Sequence, residues 1–292
     1  MPELLWVLYS VGCLILAIII LLVAKKLFDL LTPYSVDVQL TEKDNPAIGI
    51  VLVGFLMGVT AIICAVFTGG ETKGDLTFDL VIREVIEVVG YGALGMVCLF
   101  VAGIVNDKLI LCKFSNRTEI VDNRNAAVGL VIAGTYIGSG LIIAGGIRGS
   151  VDPISMLIAF VAGQVTLVLF AFIYQKATTF DDHQELGENK NVPAGFAFGG
   201  NLVGYGLILM NAVRIPTANP SEAWGWSDCL VHFLYYAVTG CVLLVVTRIF
   251  TDRLFLPKAK IRHEIVVDRN LNAGILEASL AIAVGSVLVF CL

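Results

Sequence analysis

Residues 120–141 read IVDNRNAAVGLVIAGTYIGSGL and residues 40–59 read LTEKDNPAIGIVLVGFLMGV. Both stretches open an apolar run with the same pattern: Asn-x-x-x-Gly, a small residue five positions later, and another four positions after that. The pattern occurs four times, at Asn45/Gly49/Gly54/Gly58, Asn125/Gly129/Gly134/Gly138, Asn191/Gly195/Gly200/Gly204 and Asn270/Gly274/Ser279/Ala283. Asn45 and Asn191 are 146 residues apart, Asn125 and Asn270 are 145 apart, and half of the 292-residue chain is 146. A fixed period of this kind decides architecture before any other signal. The simplest reading is a tandem duplication, 1–148 and 149–292, of a four-helix unit that is itself two helical hairpins.

The solvent for those helices follows from composition. Hydrophobic residues make up 58% of the chain, charged residues only 15%, and the mean hydropathy is +0.89, which lies outside the soluble range. A hydrocarbon core about 30 Å thick needs about 20 apolar helical residues. That template fits near 3–24, 47–69, 85–106, 126–147, 153–175, 193–213, 229–249 and 271–292, predicting an all-α integral membrane protein of about eight transmembrane helices arranged as four parallel hairpins. The N-terminal run lacks a basic start and a cleavage site, so it reads as a span and not as a signal peptide. The loops after spans 1, 3, 5 and 7 hold 3, 4, 2 and 6 of the 19 Lys and Arg residues, 15 against 4 on the opposite side (Lys73, Arg83, Arg148 and Arg214). The positive-inside rule then puts those loops in the cytoplasm and both termini outside. A net charge of -5 offers no basic face to nucleic acid, and the seven scattered cysteines form neither a disulfide framework nor a zinc spacing.

The two quoted stretches, 40–59 and 120–141, resemble the signature segments of a bacterial inner-membrane family, domain of unknown function 350, YjfL-like. The likeness extends to both halves. It is weaker in the second, where Pro193 is shifted by one position and Ser279 and Ala283 replace two glycines. The resemblance implies a four-span module, present twice, in a bacterial inner membrane. It carries no activity with it.

Asparagine is a strong helix N-cap, and Pro46 sits where proline suits the first helical turn. Asn45, Asn125, Asn191 and Asn270 are therefore read first as caps. The sharper reading is an anion site at four converging helix N-termini, aided by Arg124, Lys190 and Arg269, with Asp44 as the odd member. The glycines at 49, 54, 58, 129, 134, 138, 195, 200, 204 and 274 fall on helix faces where small residues let backbones approach, and predict packing around a shared centre. The segments RTEIVDNRN, HQELGENKN and RHEIVVDRN before three of the caps are read as short extended pieces beneath the bundle. Polar residues at membrane depth are functional candidates. Glu277 lies roughly 10 Å below the start of its helix and Asn201 and Thr135 roughly 15 Å, with Gln164 at mid-span; these four could meet. The matching positions for Glu277 are Leu52, Ile132 and Phe198, so its carboxyl is specific to the last copy and must be solvated, paired or protonated. His232, near the opposite end of its span, is too distant in depth to pair with it.

Gly90-Tyr-Gly-Ala-Leu-Gly95 matches a dinucleotide fingerprint but lies inside an apolar span with no preceding strand, and the Val-Gly-Tyr-Gly strings at 89–92 and 203–206 lack the loop a potassium filter needs. Asp79, Arg83 and Glu87 form a solvated charge stripe. No nucleophile set, metal spacing or phosphate loop appears, so enzyme chemistry and cofactors are not expected. Two functions stand: a small-solute or ion transporter with its pathway among the even-numbered spans, or a scaffold that docks a cytoplasmic protein through charged loops such as 107–125 and 250–270. The lipid bilayer is a partner on either reading, and further copies of the chain are an open third. A cysteine placed in the 250–263 loop should be labelled from the cytoplasm only; labelling from outside the cell reverses the topology.

Overall fold

The computed structural model describes residues 2–69, 77–149, 152–214, 225–251 and 260–291. Within these lie nine α-helices and no strand: α1 (Pro2–Leu31), α2 (Val36–Thr41), α3 (Pro46–Gly69), α4 (Phe78–Val105), α5 (Ala126–Gly149), α6 (Pro153–Ala177), α7 (Val192–Ala212), α8 (Trp226–Phe250) and α9 (Leu271–Cys291). All but the short α2 are long and apolar enough to cross a membrane. Local sequence sets their starts. Asp152 caps α6 by accepting from Ser155 N, with Pro153 just after it, and Thr77 caps α4 by accepting from Leu80 N. Lys73, residues 215–224 and residues 252–259 of the 250–270 loop lie outside the described residues.

The four helices that begin at the asparagines, α3, α5, α7 and α9, stand side by side in that order, each in close contact with the next. This corrects the expected shared centre. α3 and α9 share no comparable seam, so the helices form an open row. The other four spans make a second layer: α4 lies over the α3–α5 seam, α6 over α5–α7 and α8 over α7–α9, while α1 packs on α3 and α4. α5 and α7, flanked on both sides, are the most buried spans, and α1 is the least.

The glycines explain why the row forms, because each seam brings backbone onto backbone. A Cβ added at Gly54 would lie 2.4 Å from Ala133 Cα, one at Gly134 2.4 Å from Gly199 O, and one at Gly200 2.4 Å from Ala278 Cα. Farther along, Gly58, Gly138 and Gly204 face the carbonyls of Tyr136, Leu202 and Ala281. From the other side of each seam, Gly129, Gly195 and Gly274 press on Ala47, Ala127 and Pro193, and Gly140, Gly206 and Gly285 on Gly58, Gly138 and Gly204. The register is the same in all three seams. Lipid tails are as apolar as leucine, so this close packing, and not exclusion from water, drives helix association in a bilayer. The second layer repeats too: Gly95, Gly163 and Gly240 seat against Ile62, Ile142 and Ile208.

The substitutions in the last copy follow from position. Ser279 and Ala283 lie on the face of α9 that no further helix covers, and both are exposed. Gly134→Val should therefore destabilise the protein by about 3 kcal/mol or more, because the nearest atoms are unyielding backbone. Ser279→Val should change thermal stability in detergent by less than about 0.5 kcal/mol. Equal losses at the two positions would contradict the open row.

Candidate functional site

At the row's N-terminal end, each asparagine side chain serves two structures. Its Oδ1 accepts from the first turn of its own helix: from Ala47 and Ile48 N at Asn45, Ala127 and Val128 N at Asn125, Ala194 N at Asn191, and Asn272 N at Asn270. Its Nδ2 donates back six residues, to Gln39 (2.9 Å), Glu119 (2.9 Å), Glu185 (2.7 Å) or Glu264 (2.7 Å). For the first three asparagines Nδ2 also donates forward to a carbonyl of the following unit, Ile120 (2.8 Å), Leu186 (2.7 Å) and Ile265 (2.8 Å). The asparagines thus staple each unit to the next.

The segments expected to be extended are instead π-helical turns at Thr118–Asp122, Gln184–Glu188 and His263–Val267. The reason is a wide closing bond: the backbone N–H of each asparagine reaches the carbonyl six residues earlier, one residue farther than in a Schellman turn. That closure needs a left-handed residue, and Asp44, Arg124, Lys190 and Arg269 have φ of 47°, 50°, 49° and 48°. Arg124, Lys190 and Arg269 are exposed and spread along the row. At Asn125, Asn191 and Asn270 the cap amide faces a glutamate, and at Asn45 it faces Gln39.

The four intramembrane candidates part into three places. Thr135 donates to Asn106 Oδ1 (2.9 Å) between α5 and the end of α4, and Ser139 of α5 donates to Gln164 Oε1 of α6 (2.8 Å). Asn201 and Glu277 do meet, with Asn201 Nδ2 3.5 Å from Glu277 Oε1. Glu277 is 3% exposed and faces inward, as its isolation among apolar positions requires. The sequence reading missed its main partners. Tyr174 of α6 donates its hydroxyl to Glu277 Oε1 at 3.0 Å, and Arg248 of α8 lies 3.2 Å from the same oxygen. Arg248, one of the six Lys and Arg residues assigned to the loop after span 7, belongs instead to α8, nearly buried, with its guanidinium 5.1 Å from the Tyr174 ring centre and 5.7 Å from that of Phe180. Glu277 Oε2 has no hydrogen-bond partner among the described residues. His232 packs on Tyr236 instead, ring centres 4.6 Å apart, as its depth implied.

The duplication supplies a control for this cluster. Displaced by the 145- or 146-residue period, Tyr174, Asn201, Arg248 and Glu277 become Phe28, Phe55, Gly103 and Ile132. In the first half those positions are an aromatic core, with Phe28 and Phe55 ring centres 5.0 Å apart and Tyr136 5.4 Å from Phe55. The Tyr136 hydroxyl fills the space over Gly103, and Tyr136 corresponds to Ala281. The same fold position is thus apolar in one half and charged in the other.

Two matches to one family, described as Domain of Unknown Function (DUF350), cover residues 3–147 and 149–292. The chain belongs to this family. It is similar to the UPF0719 inner membrane protein YjfL of Escherichia coli strain K12 and of O157:H7, each 31% identical over 130 residues, 43% of this chain and 83% of the relative. No solved structure matches. This tandem DUF350 protein is a polytopic, YjfL-like inner-membrane protein.

Where α6 of the DUF350 tandem ends, Asp182 is 3% exposed and its carboxylate accepts from Thr178 Oγ1. Burial pushes the Asp182 carboxyl up to about 7; the Thr178 bond and the field of Arg248 oppose this, and the field of Glu277 adds to it. The neighbouring Asp181 moves the other way, held down chiefly by the backbone N–H of Gln184. Because the folded value of Asp182 lies above the unfolded one, the fold carries no penalty from it below about pH 4. The penalty grows as pH rises to 7, to on the order of 4 kcal/mol. Asp182→Asn should therefore match the native protein in thermal stability at pH 4 and exceed it at pH 8, in detergent unfolding scans. A constant offset across that range would refute the assignment.

Proposed function

We propose that this protein moves protons, or a small ion coupled to them, across a bacterial inner membrane, and that the Glu277–Arg248–Tyr174 cluster of its second half is the charge-handling site. The observation that carries this reading is the aromatic core at the equivalent place in the first half. A fold that packs without charge at 1–148 has no packing need for charge at 149–292. Buried ion pairs cost desolvation and are often neutral or stabilising to replace with apolar residues, so an ion pair retained in hydrocarbon asks for another reason. On this reading Glu277 is the charge-handling carboxyl, Arg248 its counter-charge 3.2 Å away, and Tyr174 the donor that orients it. Asp182, whose carboxyl burial pushes up to about 7, lies within the field of Arg248 and Glu277 beyond the end of α6. The capped end is the one that carries the charged loops. On the charge bias of the loops that end is cytoplasmic and both termini are outside.

A route along the seams of the row is disfavoured, because backbones touch there. The boundary between the two layers, where α6, α7, α8 and α9 meet, is the better candidate. The scaffold reading draws its own support from the closed seams and from a cleft of about 620 Å³ at the capped end, with Lys113, Phe114, Glu119, Asp181, His183 and Lys190 in its lining.

A single Glu277→Gln change would strand Arg248 in the membrane and cost about 3–5 kcal/mol, confusing folding with function. The cleaner variant transplants the first half's residues: Tyr174→Phe, Asn201→Phe, Arg248→Gly, Glu277→Ile and Ala281→Tyr together. In liposomes carrying an internal pH dye and a valinomycin-clamped potassium gradient, the native protein should acidify or alkalinise the lumen. The transplant should lower that rate at least about tenfold while keeping native thermal stability. Equal rates, or no flux above empty liposomes for the native protein, would leave the scaffold reading in place.

A further inference from the structure

The row has two unlike ends, and the internal seams state what each end is shaped to meet. In every seam the face toward the next helix presents the small residues nine and thirteen positions after the asparagine. On α9 these are Ser279 and Ala283, both exposed. The opposite face meets this one with the residues four, eight and fifteen positions after its own asparagine, of which the last two receive the small residues and the first packs on the preceding helix's first turn. On α3 these are Gly49, Val53 and Thr60, of which Val53 and Thr60 are exposed. The second layer is unfinished at the same place. Gly95, Gly163 and Gly240 each seat on the isoleucine seventeen positions after the preceding unit's asparagine. The α1 counterpart is Ala17, flanked by exposed Leu14 and Ile18, and the residue seventeen positions after Asn270 is Val287, 58% exposed on α9.

A polar contact marks the same two ends. Asn45, Asn125 and Asn191 each donate to a carbonyl in the next unit, five residues before that unit's asparagine. Asn270 donates to Glu264 and has no such carbonyl among the described residues. The corresponding carbonyl of the first unit is that of Leu40, which no preceding asparagine reaches.

We infer that a second copy of this chain docks its α1–α3 edge on the α9 edge of the first, continuing the row head to tail. The contacts then repeat the internal ones: Asn270 to the Leu40 carbonyl, Ser279 against Val53, Ala283 beside Thr60, and Val287 beneath Ala17. The occupant is a second copy because the interface it would complete already occurs three times within the chain in one register. Val53 and Thr60 stand where the inner seams have alanine or glycine, so this seam is wider and separable. The two faces are different, so the contact is heterologous, and it closes into a ring or continues as an array according to the angle between copies.

Cysteine cross-linking in membranes tests this, with native Cys64 and Cys291 replaced by serine. Oxidation of a chain carrying Ser279→Cys and Val53→Cys should give bands at multiples of the chain mass. Two chains co-expressed with one substitution each should cross-link to each other, and either alone should not. A pair placed on α9 and the lipid-facing side of α4, Ser279→Cys with Val97→Cys, should stay monomeric. If the matched pair links no better than the mismatched one, the edges face lipid and the inference fails. If the Ser279→Cys chain links to itself as readily, the contact is isologous and the head-to-tail arrangement is wrong. Ser279→Trp should abolish the cross-linked series in a Thr60→Cys, Ala283→Cys background with less than about a 3 °C change in melting temperature; persistence of the series would also overturn it.

Discussion

Backbone of one row helix touches backbone of the next, and this closeness constrains everything built around it. In hydrocarbon, helices gain nothing by hiding apolar side chains from each other's surroundings, so association depends on how nearly two main chains can approach. Gly134 against Gly199 and Gly140 against Gly58 show that approach at its limit. Where the row is closed this tightly, the glycine faces have no room for polar side chains. Such residues are pushed to the boundary between layers, where Ser139 meets Gln164 and Tyr174 meets Glu277.

The asparagine staples complete the constraint at one end. A helix terminus leaves backbone N–H groups without intrahelical partners, and near a membrane these are costly. A cap satisfies one or two of them. Here the same amide also holds the loop of the next unit, so capping and register are one interaction. The left-handed residues before each cap cost roughly 1–2 kcal/mol apiece for a non-glycine side chain, offset by the bonds that the turn allows. Arg124, Lys190 and Arg269 are thereby explained as exposed turn residues, without appeal to a ligand.

The two halves fill one frame with different side chains. The first half keeps Phe28, Phe55 and Tyr136 in an aromatic core, while the second places a carboxylate, a guanidinium and a phenol in the same frame. Tyr136 reaches over Gly103 in the first half, whereas in the second Ala281 stands at the tyrosine's position and Arg248 at the glycine's.

The sequence by itself determined the membrane class, the eight spans, the tandem period and the asparagine caps, because each depends on local composition or on spacing along one helix. It also marked Glu277 as inward-facing, since a lone carboxyl among apolar repeat positions has few tolerable surroundings. The acid or amide six residues before every asparagine was legible too, as Gln39, Glu119, Glu185 and Glu264, though only the wide turn shows what it does. Tertiary structure alone decided that the four helices form an open row and not a ring, because a glycine face says how near a neighbour comes and not which neighbour it is. It alone brought Tyr174 and Arg248 to Glu277 and kept Thr135 and Gln164 away, since partners 103 and 29 residues distant meet only through the stagger of the two layers.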